Sequence, residues 1–358
     1  MSEIHEQQPI TLTIDGKQVT VPKGVTVKQA CEFNNIAIPA LCYDPELTSL
    51  GSCRLCVVEV NGFKNLPASC VTTATEGMVI QTQSQAVVES RKMMLELLLA
   101  DHPMDCLTCH KNGSCLLQDY AYQYQVKGEL FAGNKHRYPI EDDNPFILRD
   151  LNKCIDCGKC VRVCSEVQGR HVLDYAYRGY EMKISTAMDY TLANSDCVFC
   201  GSCVAVCPTG ALVEKNMVGK GRSFEVEKVK TTCPFCGVGC NFDLNVKDGR
   251  VIGVTSNPDS VVNGRHLCVK GRFGTDYIYS PERITTPLIK KDGEFVEATW
   301  DEALDLVANR LLAIKKESGN DSIGVLSSAR CTNEENYLMQ KWVRAVIGTN
   351  NVDHCART

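Results

Sequence analysis

The sequence has no excess of positive charge and no long apolar run. Its 358 residues carry 38 Lys and Arg against 43 Asp and Glu, a formal net charge of -5, so we do not expect a nucleic-acid-binding surface. The longest apolar stretches, such as residues 93–100, are too short and interrupted to cross a bilayer. Residues 1–8 have neither the basic region nor the apolar segment of a secretory signal, and no twin-arginine leader follows. We expect a cytoplasmic chain without membrane insertion.

Cysteine, by contrast, is abundant, with 22 residues. Thiols stay reduced in the cytoplasm, so a framework of disulfides is not expected there. Most of the cysteines fall into groups with short, regular spacers, which is typical of ligands for zinc or for iron–sulfur clusters. Metal ligation is therefore the favoured interpretation.

The most specific group is a run of four cysteines with spacers of two, two and three residues, which recurs 43 residues later. Bacterial two-cluster ferredoxins have this run, and the fourth Cys of each run ligates the other cluster. Two zinc sites are the alternative, but they leave one regularly placed Cys in each run unexplained. Ser165 stands where the first run would usually have Pro. The predicted 4Fe-4S ligand sets are Cys154, Cys157, Cys160 and Cys207 for one cluster, and Cys197, Cys200, Cys203 and Cys164 for the other.

A second group follows a predicted hairpin over residues 10–21 and a short predicted helix over residues 26–33. Ten residues separate the first two cysteines of this group, whereas four separate them in the plant-type ferredoxin pattern. The longer gap is similar to that of the ferredoxin-like domains that open the largest hydrophilic subunit of respiratory complex I and many iron-only hydrogenases. This resemblance implies a 2Fe-2S cluster, with zinc as the alternative on spacing alone. The four candidate ligands are Cys42, Cys53, Cys56 and Cys70.

A third group begins where a predicted apolar helix ends, at His102, and continues with Cys106, Cys109 and Cys115. The same pattern follows the 2Fe-2S domain in those two families, which implies a 4Fe-4S cluster with one His ligand. His110 is a weaker candidate for that ligand. Since an imidazole carries less negative charge than a thiolate, His ligation should raise the reduction potential of the cluster. Residues 121–150 show little periodicity and are predicted to be a connector.

The last group joins the segment CPFCGVGC (residues 233–240) to CVKGR (residues 268–272) across a predicted hairpin. Both segments resemble the N-terminal cluster domain of bis-pterin molybdenum and tungsten oxidoreductases, specifically formate dehydrogenases. The resemblance implies a fifth cluster, a 4Fe-4S, and makes Lys270 the candidate electron relay between that cluster and the pterin. Zinc is again the alternative on spacing. The candidate ligands are Cys233, Cys236, Cys240 and Cys268.

Beyond residue 300 the pattern predicts a helix from Trp300, a buried strand over residues 323–326 and a second helix over residues 334–347. Residues 351–358 resemble the formate dehydrogenase segment that precedes the catalytic selenocysteine or cysteine. We hypothesise that selenocysteine, encoded by an in-frame UGA, follows Thr358. No catalytic site would then be complete within these residues, and Arg357 has no assigned role.

These motifs predict an α+β multi-domain chain. The five sites take 19 cysteines; Cys31 and Cys331 are expected to be buried small apolar residues, and Cys355 has no assignment. The predicted domains are a plant-type ferredoxin β-grasp (1–84), a cluster domain with one His and three Cys ligands (85–125), a two-cluster 4Fe-4S ferredoxin domain (126–222), a small β cluster domain (223–285) and the truncated start of an α/β pterin-binding domain (286–358).

The resemblance implies the iron–sulfur wire of a molybdenum- or tungsten-dependent formate dehydrogenase. Its cofactors would be one 2Fe-2S cluster, four 4Fe-4S clusters and, in the full-length protein, a metal-bis(pterin guanine dinucleotide). Formate or CO2 would be the substrate, and a flavin- and NAD(P)-binding diaphorase subunit, a ferredoxin or a hydrogenase would be the redox partner. The alternatives are an iron-only hydrogenase and a complex I-type electron-transfer subunit without formate activity.

Overall fold

The structure is a computed structural model that describes residues 8–131, 133 and 135–355. It divides into two compact units, Met1–Val226 and Glu227–Thr358. The sequence predictions at residues 1–7 and at Arg357 and Thr358 lie outside the described residues. Within the described part of the chain, no helix has the length and apolar character needed to cross a membrane.

The first unit opens with a four-stranded sheet in which β1 (Ile10–Ile14) lies between β2 (Lys17–Val21) and β4 (Val79–Gln81), and β3 (Glu59–Val60) pairs with β4 at the edge. Strand β1 runs parallel to β4. The predicted hairpin is confirmed, and its turn at Asp15 and Gly16 has the positive φ angles (49° and 79°) that tight hairpin turns require. Thr26 caps the predicted helix in a capping box with Gln29. The elements are β1 (Ile10–Ile14), β2 (Lys17–Val21), α1 (Val27–Phe33), β3 (Glu59–Val60) and β4 (Val79–Gln81).

The rest of the first unit consists of two helices followed by short strands and helical turns that carry the cysteine runs. The predicted apolar helix is confirmed and ends one residue before His102. The predicted connector at residues 121–150 begins later than expected, because a helix extends to Tyr124. The elements are α2 (Gln85–Asp101), α3 (Leu116–Tyr124), β5 (Ile147–Arg149), α4 (Lys159–Arg162), β6 (Asp174–Ala176), β7 (Lys183–Ser185), α5 (Ser202–Val206) and β8 (Leu212–Glu214).

One apolar cluster in this unit draws side chains from three of the cysteine-bearing regions. Leu41 and Leu55 come from the first cysteine loop, which carries Cys42, Cys53, Cys56 and Cys70, and Cys115 comes from the start of α3. Ile155, which lies between Cys154 and Cys157, packs against the same cluster. The loops of three candidate sites are thus held around one core.

The second unit contains a three-stranded antiparallel sheet in which β10 (Asn241–Lys247) lies between β11 (Arg250–Ser256) and β9 (Glu227–Thr232). The predicted hairpin around Asp248 and Gly249 is confirmed as β10 and β11. Strand β9 is not predicted by the sequence, because its six residues (EKVKTT) contain a single apolar side chain and show no alternation. The elements are β9 (Glu227–Thr232), β10 (Asn241–Lys247), β11 (Arg250–Ser256), α6 (Val269–Phe273), β12 (Leu288–Lys291), β13 (Glu294–Glu297), α7 (Trp300–Ser318), β14 (Val325–Ser327), α8 (Asn333–Trp342) and β15 (Val352–His354).

The end of the second unit is a parallel strand–helix–strand arrangement of β14, α8 and β15. The helix predicted from Trp300 is confirmed as α7, with a capping box between Thr299 and Glu302. The predicted second helix is α8, which continues as a π-helical turn over Val343–Ile347. The prediction of a buried strand at residues 323–326 is wrong in part. The strand covers Val325–Ser327, and Leu326 is 85% exposed because this two-stranded sheet leaves its face uncovered in the described chain.

Candidate iron–sulfur sites and cofactor cavity

The first cysteine loop holds its thiols as two hydrogen-bonded pairs. Cys56 Sγ lies 3.3 Å from Cys70 Sγ, and the backbone N–H of Cys53 donates to Cys42 Sγ at 3.5 Å. Hydrogen bonding between the Cys42 and Cys53 thiols lowers the pKa of Cys42 to about 5, and hydrogen bonding between the Cys56 and Cys70 thiols lowers the pKa of Cys56 to about 6. The pKa of the other thiol in each pair is raised, because losing its proton would break that bond and set two thiolates side by side. Each pair thus lowers the pKa of one of its two thiols, which favours the thiolate form that binds metal.

Arg91 of α2 holds this loop in position through hydrogen bonds to its backbone. Its side chain is fully buried, with Nε donating to the Leu55 carbonyl at 3.0 Å and Nη2 donating to the Val57 carbonyl at 2.9 Å. Its Nη1 donates to the hydroxyl of Tyr124 in α3 at 3.0 Å. Since Leu55 stands between Cys53 and Cys56, this guanidinium sets the position of the loop relative to both helices.

His102, the C-cap of α2, presents an imidazole suited to metal binding. It is 8% exposed, and its Nδ1 has no hydrogen-bond partner in the described chain. Burial lowers the pKa of the ring to about 4, so it is neutral near pH 7 with a lone pair available to a metal. The competing candidate, His110, is only half-buried.

The three cysteines that follow His102 lie on a turn and at the start of α3. Burial raises the pKa of Cys106 and of Cys115, and the neighbouring Cys109 raises both further. Lys153 lies close enough to interact electrostatically with both His102 and Cys109. A Cβ on Gly210 would stand 2.8 Å from Cys109 Sγ, so only glycine allows this close approach to the ferredoxin-like run.

The two repeated runs line two separate small cavities in the first unit, each of about 30 Å³. Each cavity receives three thiols from one run and the fourth thiol from the other. The structure therefore brings together the members of each crossed set. Cys154, Cys157, Cys160 and Cys207 line the first cavity, and Cys164, Cys197, Cys200 and Cys203 line the second.

These thiols are strongly desolvated. Burial, helped by the negative charge of Cys207, raises the pKa of Cys157 to about 12, and burial also raises the pKa values of Cys154, Cys160 and Cys203. Four such thiols can ionise around one cavity only if positive charge lies between them, which iron would supply. The donor set and its crossed arrangement fit a 4Fe-4S cluster.

The described residues contain no group of three His, Cys, Asp or Glu side chains close enough to hold a single metal ion. That finding concerns one ion with its ligands converging on a point, as in a zinc site. A cluster places several iron atoms between its ligands, so its thiols stand farther apart.

In the second unit, four cysteines lie around the end of the three-stranded sheet. The N–H of Cys233 donates to the carbonyl of Cys240 at 2.7 Å, which closes the first loop. Burial raises the pKa of Cys233 and of Cys240, and negative charge on Cys236 and Cys268 raises them further. Cys268 is the N-cap of α6, and the side chain of Lys270 on the same helix is exposed.

An open cavity of about 730 Å³ lies beside this site within the second unit. The loop of Cys236 forms one wall, and Asn333 Nδ2 ties that loop to α8 by donating to the Gly237 carbonyl at 2.7 Å. The carboxyl ends of the two parallel strands contribute to the opposite wall, a common position for ligand sites. The other polar lining residues are Ser327, Ser328, Asn336, Gln340, Arg344, Asp353 and His354.

Most of these lining residues are missed by the sequence predictions, among them three on the helical segment. Asn336, Gln340 and Arg344 are spaced four residues apart and so occupy one face of the helical segment. That polar stripe is a signal in the sequence that could have identified them. Of the unassigned cysteines, Cys31 is buried as expected, Cys331 is only half-buried, contrary to expectation, and Cys355 is exposed.

Five family models match the chain in succession. They are a 2Fe-2S iron–sulfur cluster binding domain (residues 7–85), the NADH-ubiquinone oxidoreductase-G iron–sulfur binding region (91–129), the NADH-quinone oxidoreductase subunit 3 ferredoxin-like domain (144–213), the molybdopterin oxidoreductase Fe4S4 domain (226–280) and molybdopterin oxidoreductase (283–358).

Among solved structures, the chain is similar to one from an NAD+-reducing NiFe-hydrogenase in its H2-reduced state. The two are 32% identical with a TM-score of 0.55, and the match covers 59% of this chain and 90% of the other. The chain belongs to the iron–sulfur oxidoreductases.

Two relatives in this family match nearly the whole chain. An NADH-quinone oxidoreductase G subunit of Rhizobium meliloti (strain 1021) is 39% identical over 350 residues, and YrhE of Bacillus subtilis (strain 168), named as a proposed formate dehydrogenase, is 36% identical over 390 residues. Each match covers 97% of this chain and 40% of the relative. The chain therefore spans less than half the length of these iron–sulfur oxidoreductases.

Proposed function

We propose that this chain is the electron-conducting part of a molybdenum- or tungsten-dependent formate dehydrogenase. It binds one 2Fe-2S cluster and four 4Fe-4S clusters and carries electrons between a bis-pterin cofactor and a partner redox subunit. The observation that carries the proposal is the open cavity beside Cys236, because a cofactor-sized space there adjoins the loop of a four-cysteine site.

The proposed ligands follow the five cysteine groups. The two thiol pairs, Cys42 with Cys53 and Cys56 with Cys70, suit a 2Fe-2S cluster. The Nδ1 of His102, which has no hydrogen-bond partner in the described chain, suits a cluster with one imidazole ligand. The two crossed thiol cavities suit two further 4Fe-4S clusters, and the group closed by Cys268 suits the fifth.

The bis(pterin guanine dinucleotide) would be held partly by the polar wall of the open cavity. Arg344 offers a guanidinium for phosphate oxygens, and Asn336 and Gln340 offer amides for hydrogen bonds to the ring system. When bound, the metal centre supplies the two-electron chemistry of formate and CO2. Lys270, with its exposed ammonium two residues beyond Cys268, is the proposed relay between this cofactor and the adjoining cluster.

Formate as the substrate rests on the two segments at residues 233–240 and 268–272, on residues 351–358, and on the likeness to YrhE. The partner is a flavin- and NAD(P)-binding subunit, a ferredoxin or a hydrogenase, and the complex is cytoplasmic. Likeness to a chain of an NAD+-reducing hydrogenase supports delivery to another redox subunit.

A second candidate is an electron-transfer subunit of the complex I type, without formate activity. The 39% identity to an NADH-quinone oxidoreductase G subunit favours it. Metal analysis and a formate assay on the native full-length complex separate the two. Iron with molybdenum or tungsten and formate-dependent dye reduction support the first proposal. Iron alone with no response to formate supports the second.

A further inference from the structure

Arg162 joins two candidate cluster loops that are far apart in sequence. Its Nη2 donates to the carbonyl of Cys42 at 2.6 Å and to the carbonyl of Cys157 at 3.3 Å. Its Nε donates to the carbonyl of Gly158 at 3.2 Å, and its Nη1 donates to the carbonyl of Thr48. One guanidinium therefore bridges a ligand candidate of the 2Fe-2S site and a ligand candidate of the first 4Fe-4S site.

The guanidinium carries a buried charge that forms no direct ion pair with a carboxylate among the described residues. Arg162 is 5% exposed, and its hydrogen bonds all go to backbone carbonyls. A buried charge without a counter-charge is costly. Iron–sulfur clusters with four thiolate ligands carry net negative charge. Clusters at the two adjoining sites would therefore supply the negative counter-charge for the Arg162 guanidinium.

Neighbouring contacts hold the same two loops together. Lys159, next to Cys160, forms a buried ion pair with Asp44 at 3.4 Å. The N–H of Thr48 donates to Glu166 Oε2 at 2.8 Å. With these contacts in place, Arg162 is held rigidly between the loops, and its planar fork suits two acceptors at once.

We propose that Arg162 is the positioning residue that couples the 2Fe-2S site of Cys42 to the 4Fe-4S site of Cys154. This rests on the ligand assignments proposed above. Arg162 keeps the two loops at a fixed separation, and its charge favours the reduced, more negative state of both clusters. None of the described hydrogen bonds of Arg162 links the second 4Fe-4S site, around Cys197, to Cys42.

The test compares Arg162→Gln and Arg162→Lys with the wild-type chain after cluster reconstitution. Iron content is measured first, followed by an EPR redox titration and microwave power saturation of the reduced 2Fe-2S signal. Arg162→Gln should lower the reduction potentials of the 2Fe-2S cluster and of one 4Fe-4S cluster together, and should weaken the relaxation enhancement between them. Arg162→Lys keeps the charge but loses the fork, so it should preserve the potentials better than the relaxation enhancement.

Arg91→Gln is the matched control, because it removes a buried guanidinium from the opposite side of the same loop, where Arg91 contacts Leu55 and Val57. It should disturb the 2Fe-2S loop but leave the potential of the 4Fe-4S cluster at Cys154 unchanged, whereas Arg162→Gln should shift both. Wild-type potentials and relaxation in both Arg162 variants, with clusters bound, would overturn the coupling alone. A wild-type chain without a 2Fe-2S signal would overturn the ligand assignment, and the coupling with it.

Discussion

Arg91 and Tyr124 form a buried hydrogen bond, with Nη1 of the guanidinium 3.0 Å from the phenolic oxygen. The bond links α2 to α3, while the rest of the guanidinium holds the carbonyls of Leu55 and Val57. Stability of the cysteine loop and packing of the two helices therefore depend on one side chain.

Tyr124→Phe should cost about 1 kcal/mol of stability or somewhat more, since it leaves one buried N–H unpaired. Arg91→Met should cost several times as much, because it leaves two buried carbonyls and the phenol without their partner. Thermal melts followed through the 2Fe-2S visible absorbance measure both. Equal melting temperatures in Arg91→Met and the wild type would show that the loop does not depend on this residue.

The crossed thiol sets predict which pairs of substitutions act on one cluster. Cys154→Ser with Cys207→Ser should lose no more iron than either substitution alone, because both thiols line one cavity. Cys154→Ser with Cys164→Ser should lose twice as much, because Cys164 lines the other cavity. Iron analysis of the purified variants measures this, and the reverse pattern would mean that each run binds its own cluster.

His102 as a ligand predicts a shift in reduction potential. His102→Cys should lower the potential of one 4Fe-4S cluster and keep its iron, because a thiolate adds negative charge to the site. His110→Gln is the control and should leave all potentials unchanged. EPR-monitored titration reads out both variants. A potential that moves with His110 and not with His102 would transfer the ligand role to His110.

Gly158 is predicted to be required for two reasons: its backbone is left-handed, and there is no room for a side chain at its position. Its φ is +67°, and an added Cβ would overlap the Tyr175 hydroxyl. Gly158→Ala should destabilise the first 4Fe-4S site by more than the roughly 1–2 kcal/mol of left-handed backbone strain.

Gly179→Ala separates the two causes, since Gly179 has φ +62° but open space around its Cβ position. Chemical denaturation with cluster absorbance compares the variants, and Tyr175→Ala in the Gly158→Ala background should recover the part due to the clash. Equal losses of stability in Gly158→Ala and Gly179→Ala would mean that backbone strain, and not the clash with Tyr175, explains the whole effect.

The sequence predicts best where a periodic pattern and a local signal coincide. The two hairpins at Asp15 and Asp248 are confirmed, because apolar alternation flanks a turn that needs positive φ. Helix α7 is confirmed for the same kind of reason, since its apolar stripe begins at a capping box.

Other features depend on contacts that only the fold creates. Strand β9 forms because β10 offers it a partner, although its own residues are mostly polar and mostly exposed. Arg162 lies 120 residues from Cys42 in the sequence, so nothing local indicates their hydrogen bond. The spacing of the cysteines in the sequence does predict which thiols line each of the two ferredoxin-like cavities. That these thiols bind clusters stays a prediction.

Cluster content tests the central claim most directly. The reconstituted 358-residue chain, reduced in steps and followed by EPR, should show one 2Fe-2S signal and four distinct 4Fe-4S signals. Fewer than four 4Fe-4S signals, or zinc in place of iron at any of the five cysteine groups, would contradict the account.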